Sequence, residues 1–109
     1  MRFETLEAAL ELIALVRKPL EALRSRDPDL HRQIRAAASS LALNLAEGNR
    51  RAGKDRLQHF RIAAGSADEA RTGLRVAVAW GDLEGPAVAE ALRLLDRILG
   101  MAWGLTRGG

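Results

Sequence analysis

Apolar residues recur at spacings of three and four through four long stretches of this chain, with three turn signals between them. That period belongs to helices that each bury one face. The first stretch, about 4–24, carries Leu6, Leu10, Ile13, Val16, Leu20 and Leu23. Pro19 lies within it and removes one helical hydrogen bond, so a kink or a fresh turn is expected there. "SRDPDL" follows. Asp27 suits a helix cap, Pro28 the first helical position, and Asp29 the positive end of the helix. The second stretch, 28–47, turns Leu30, Ile34, Ala37, Ala38, Leu41 and Leu45 inward. Gly48 is the expected left-handed stop. The third, 54–80, ends at Gly81 and "GDLEGP". The fourth, 86–103, carries Val88, Leu92, Leu95, Leu99 and Ala102, and the tail "TRGG" should fray.

Strand formers are scarce: the chain has no tyrosine, two phenylalanines and two tryptophans. Alanine, leucine, arginine and glutamate favour helix instead. A chain of 109 residues holds one domain with a single core. The expectation is an all-α, antiparallel up-down-up-down four-helix bundle. If the second hairpin turns near Arg51, residues whose numbers sum to about 102 face each other. "AAASS" (Ala36 to Ser40) then meets "IAAGS" (Ile62 to Ser66), and small residues there let two backbones approach. Close packing is also the expected reason for Gly65, which weakens a helix interior by roughly 1 kcal/mol against alanine.

Several functions drop out. There is no cysteine, hence no disulfide, thiolate metal site or cysteine nucleophile. That fits a reducing cytoplasm, the expected location. Glu4, Glu7 and Glu11 break up the apolar N-terminal stretch, unlike a signal peptide, and no run reaches membrane-span length. "GNRRAGKD" matches G-x-x-x-x-G-K from Gly48 to Lys54. Asp55 then stands where a magnesium-binding hydroxyl belongs, and a helix rather than a strand precedes it. No nucleotide loop is expected. His31 and His59 stand in neither Glu-x-x-His nor H-E-x-x-H. Ser39, Ser40 and Ser66 lack a Ser-His-Asp pattern. No catalytic residue, metal or cofactor is expected, and the protein is read as a non-enzyme.

Two polar features remain. Asn44 and Glu47 share a helix face, and Ser66, Asp68 and Glu69 stand across the hairpin. A buried carboxylate needs partners. So Asn44, Glu47, Ser66 and Glu69 are expected to form a polar network between helices or subunits, with Arg61 and Arg71 available to pair. Alternatively, Glu47 orients an arginine used on a ligand. The second feature is the basic turn: Arg50, Arg51, Lys54, Arg56 and Arg61 fall within twelve residues, offset by Asp55. Fifteen arginines and two lysines raise the sequence pI to about 10.5 at a net charge of only +3. Arg50, Arg51, Lys54 and Arg56 are the expected phosphate contacts, reading backbone rather than bases. Exposed aromatics for stacking are missing there, and a merely solvated turn is the alternative.

"NLAEG", an arginine-bearing turn and "FRIAAGSADEA" resemble the four-helix bundle proteins associated with 23S ribosomal RNA intervening sequences. The accessory variability proteins of diversity-generating retroelements are related to them. The matching positions are Asn44, Ala46, Glu47, Gly48 and Arg51, then Phe60, Ile62, Ala63, Gly65, Ser66 and Glu69. The resemblance implies a cytoplasmic bacterial bundle, a ring-shaped homo-oligomer (a pentamer), and RNA or DNA partners. It implies no enzyme. The chain departs from the pattern at Asn49 and Arg50, where an aromatic and a second glycine are usual. Ala52 or Gly53 replaces the usual serine or threonine before the third helix. A rival reading is a scaffold that recruits a protein such as a reverse transcriptase without touching nucleic acid. Its support is the apolar excess, including Trp80 and Trp103. Either tryptophan is a core residue, a subunit contact or a partner anchor.

Overall fold

A computed structural model describes residues 2–107 and contains four helices: α1 (Glu4–Arg26), α2 (Pro28–Arg50), α3 (Gly53–Trp80) and α4 (Gly85–Arg107). α1 packs on α2 and α4, and α3 packs on the same two helices. Those four seams make the antiparallel four-helix bundle. The 28 residues of α3, at about 1.5 Å each, account for the 42 Å long axis.

The helix ends follow local chemistry. Asp27 caps α2 by accepting a hydrogen bond from the Leu30 amide at 3.1 Å, with Pro28 at the first position. Gly81 closes α3 in the left-handed region at φ 82°, where its lack of a Cβ removes the strain. α3 starts without a side-chain cap, because Ala52 has no acceptor to offer.

Several expectations are corrected. α1 continues across Pro19, whose ring is buried, so no new helix starts there. The α1 stripe is rotated. Ala8, Ala9 and Leu12 are buried, whereas Leu10 is 49% exposed. Alanine is small enough to line a core seam, and the spacing rule had passed over it. Gly48 does not stop α2, which continues to Arg50. A Cβ on Gly48 would lie 2.6 Å from Phe60 Cε1, so close packing explains this glycine. Gly65, by contrast, is exposed with nothing within 4 Å of its would-be Cβ. The close approach falls at Gly73, whose Cβ would lie 2.6 Å from Ile34 Cγ1. Trp80 and Trp103 are 75% and 45% exposed, so neither belongs to the core of this chain. Thr106 and Arg107 continue α4, and the last two glycines of the tail lie outside the described residues.

The core is mostly aliphatic and small. Leu12, Leu23, Ile34, Leu41, Leu45, Leu74, Leu95 and Ile98 are fully enclosed, with alanines between them. Phe60 is the one large aromatic inside, at 1% exposure, and it stacks at a tilt on Phe3 with 6.1 Å between ring centres. Arg71 ties α3 to α4. Its guanidinium donates to Asp68 on its own helix and to Asp96 across the seam, both at 2.9 Å. These carboxylates, Asp96 foremost, hold its pKa above the usual arginine value.

Candidate functional site at the α2–α3 turn

The α2–α3 hairpin is the tightest seam, and its register can be read from four meetings. Asn44 meets His59, Ser40 meets Ser66, Ile34 meets Gly73, and Gly48 meets Phe60. Their sums run from 103 to 108, slightly above the expected 102, because α2 extends past Gly48 and the turn shrinks to Arg51 and Ala52.

A polar ladder runs down this seam toward the turn. Ser66 Oγ, 8% exposed at the residue level, donates to Ser40 Oγ at 2.8 Å. Asn44 Nδ2 donates to the Ser40 carbonyl at 2.9 Å and to Ser40 Oγ at 3.1 Å. That turns Asn44 Oδ1 toward His59, so His59 Nδ1 carries the proton and donates at 2.9 Å. His59 Nε2 then lies 4.0 Å from Asp55 Oδ1. Asn44, through His59, and Ser66, through Ser40, each join the two helices. Glu69 does not take part: it is exposed and makes no ion pair among the described residues. His59 is the member that sequence reasoning missed. The signal was present, since 44 and 59 sum to 103 and His59 follows Asp55 by one helical turn.

Glu47 serves the turn rather than the seam. It accepts from Arg50 one turn later and from Arg51 Nε at 3.0 Å. Arg51 Nη1 also donates to Asp55 Oδ2 at 2.7 Å, so Arg51 bridges the end of α2 to the start of α3. Hydrogen bonds from Arg51, then Arg50, hold the Glu47 pKa below its ordinary value of 4.5. The same pairing with Glu47, then Asp55, raises that of Arg51.

The four expected phosphate contacts thus stand in different states. Arg51 is held by two carboxylates. Arg50 shares Glu47, but its side chain is 70% exposed. Arg56 lies over the Phe60 ring at 5.1 Å and donates to the Arg51 carbonyl at 3.4 Å. Lys54 is exposed, with no ion pair among the described residues. Against Glu47 and Asp55 the turn keeps an excess of two positive charges, with Arg61 one helical turn beyond Arg56–Leu57. Such a cationic end can hold phosphate oxygens, and the carboxylates pre-set the arginine geometry without filling every donor.

A family model described as 23S rRNA-intervening sequence protein matches residues 2–104. No match was found among curated proteins or solved structures.

Proposed function

Because the chain belongs to the 23S rRNA-intervening sequence protein family, we propose that it is a non-enzymatic, self-associating bundle that binds structured RNA or DNA through phosphate contacts. The observation that carries this reading is the cationic α2–α3 end, where Lys54 and Arg50 are exposed and half-buried Arg56 stands beside them. Arg51 acts there as a positioning residue, since both of its carboxylate bonds would compete with a phosphate. Contacts of this kind set affinity and register but carry no sequence code. Self-association is supported by the exposed apolar side chains of the α2–α3 hairpin: Leu43, Ile62, Val76 and Trp80. A pentamer of +3 subunits would carry about +15, enough to steer nucleic acid toward it. No helix among the described residues is long and apolar enough to cross a membrane, and action in the bacterial cytoplasm completes the proposal.

The test is a titration against structured RNA, duplex DNA and an RNA–DNA hybrid at two salt concentrations, with the mass read by light scattering in the same buffers. Tight binding that falls steeply with salt, at a ring-sized mass, supports the reading. Replacing Lys54 and Arg56 by alanine should weaken binding alike across sequences and flatten the salt slope. An intact ring with no binding at low salt would sink it and favour the protein scaffold.

A further inference from the structure

The other flank of α2 carries cations of a different kind. Arg17 and Lys18 of α1 and Arg35 of α2 have no carboxylate within ion-pairing distance among the described residues. They rim a groove of about 670 Å³ between α1 and α2. Glu21 is the one carboxylate in its lining, and it already lies 3.9 Å from Arg24. The floor is apolar, formed by Ile13, Val16, Leu20 and Ala38. His31 holds the groove's shape: its Nδ1 donates to the Leu20 carbonyl at 2.7 Å, a polar strut across the seam.

This combination selects among partners. A nucleic-acid backbone would satisfy the cations and leave the apolar floor wet; no phenylalanine, tyrosine or tryptophan lines the groove to stack a base, and the His31 ring is tied to the Leu20 carbonyl. A helix with apolar residues at i and i+4 between carboxylates satisfies both parts. Its apolar side chains cover the floor, and its carboxylates meet Arg17 and Arg35 where water is partly excluded and paired forks are strong. Ile13 to Glu21 spans roughly 12 Å of α1, about two turns of such a helix. We infer that the α1–α2 groove docks a short acidic amphipathic helix of a partner protein, at a surface separate from the α2–α3 turn.

The test begins with a phage-displayed library of helical 16-residue peptides panned on the full-length protein. Enriched peptides should carry aspartate or glutamate flanking apolar residues at helical spacing. The double variant Arg17→Glu with Arg35→Glu should weaken the best of them at least tenfold. Ser39→Trp, which fills the groove from an exposed position, should do the same with the charge unchanged. Circular dichroism confirms that both variants fold. Ser39→Trp should leave RNA binding at the turn intact, so failure there is distinct from failure here. Enriched peptides without the acidic pattern, or with affinities that ignore both variants, would overturn the assignment. So would an RNA hairpin that displaces the peptide and itself loses affinity with Ser39→Trp.

Discussion

α2 meets α3 on one flank and α1 on the other, and the two seams are built differently. Toward α3 it presents Ile34, Ser40, Asn44 and Gly48 to Gly73, Ser66, His59 and Phe60. Ser40, Asn44, His59 and Ser66 are joined by hydrogen bonds inside the seam. Toward α1 it presents His31, Arg35 and Ala38, and a groove of about 670 Å³ stays open. The charges differ in the same way. Beside the closed seam, Arg50 and Arg51 are answered by Glu47 and Asp55. Beside the open seam, Arg17, Lys18 and Arg35 are not. A count of cations along the chain therefore overstates the free charge of the turn and misses that of the groove.

The largest blow to the closed seam should come from Phe60→Ala. The ring is 1% exposed and lies against the backbone of Gly48. Its removal should cost about 3–5 kcal/mol, since the hole left by an aromatic ring collapses only partly. Urea unfolding measures this. A loss below about 1 kcal/mol would mean that the seam closes without its largest member.

A matched pair tests the contrast itself. Gly73→Ala drives a methyl to 2.6 Å from Ile34 Cγ1, and Ile34 is itself 1% exposed, with no room to yield. Overpacking should cost about 1–3 kcal/mol. His31→Ala on the open seam removes one hydrogen bond to a carbonyl already engaged in its helix. It should cost about 0.5–1.5 kcal/mol. If the His31 variant is the worse of the two, the open seam is the one that holds the bundle.

The four helices were legible because each carries its apolar stripe and its turn residues within one window. Asp27, Pro28 and Gly81 act where their chemistry placed them. What was not legible depends on the partner helix. Gly48 and Gly65 look alike in sequence; one faces Phe60 and the other faces solvent. Leu10 fits the stripe by spacing, but small Ala8 and Ala9 let α1 approach along a different line. The hairpin register brings Asn44 to His59 and Ser66 to Ser40, whereas Glu47 found nearer partners in Arg50 and Arg51. The α1–α2 groove left no mark in sequence, because its cations lie on two helices and form no run.

The turn should also show itself through pH. Glu47 titrates below 4.5 in the folded chain because Arg51 and Arg50 hydrogen-bond its charged form. Its contribution is fully present above the unfolded value and is lost as pH falls through the folded one. Glu47→Gln removes that term. The stability gap between wild type and variant should be constant near neutrality and close below about pH 4.5. A gap that does not narrow as pH falls below 4.5 would assign the effect of Glu47 to packing rather than to its charge.

The smallest effect has the opposite sign. Gly65 lies mid-helix in α3, exposed, with nothing within 4 Å of its would-be Cβ and no left-handed backbone to demand glycine. Gly65→Ala should therefore stabilise the isolated subunit, by up to about 1 kcal/mol, through lower chain entropy in the unfolded state. Gly65 lies one helical turn from exposed Ile62 and one from Glu69, on the outer side of the closed seam. If that surface is where copies of the chain meet, the same methyl should obstruct the approach and shift light-scattering mass toward the monomer. A more stable chain with unchanged mass would leave Gly65 without a packing role. A more stable chain that no longer assembles would locate the subunit interface on α3.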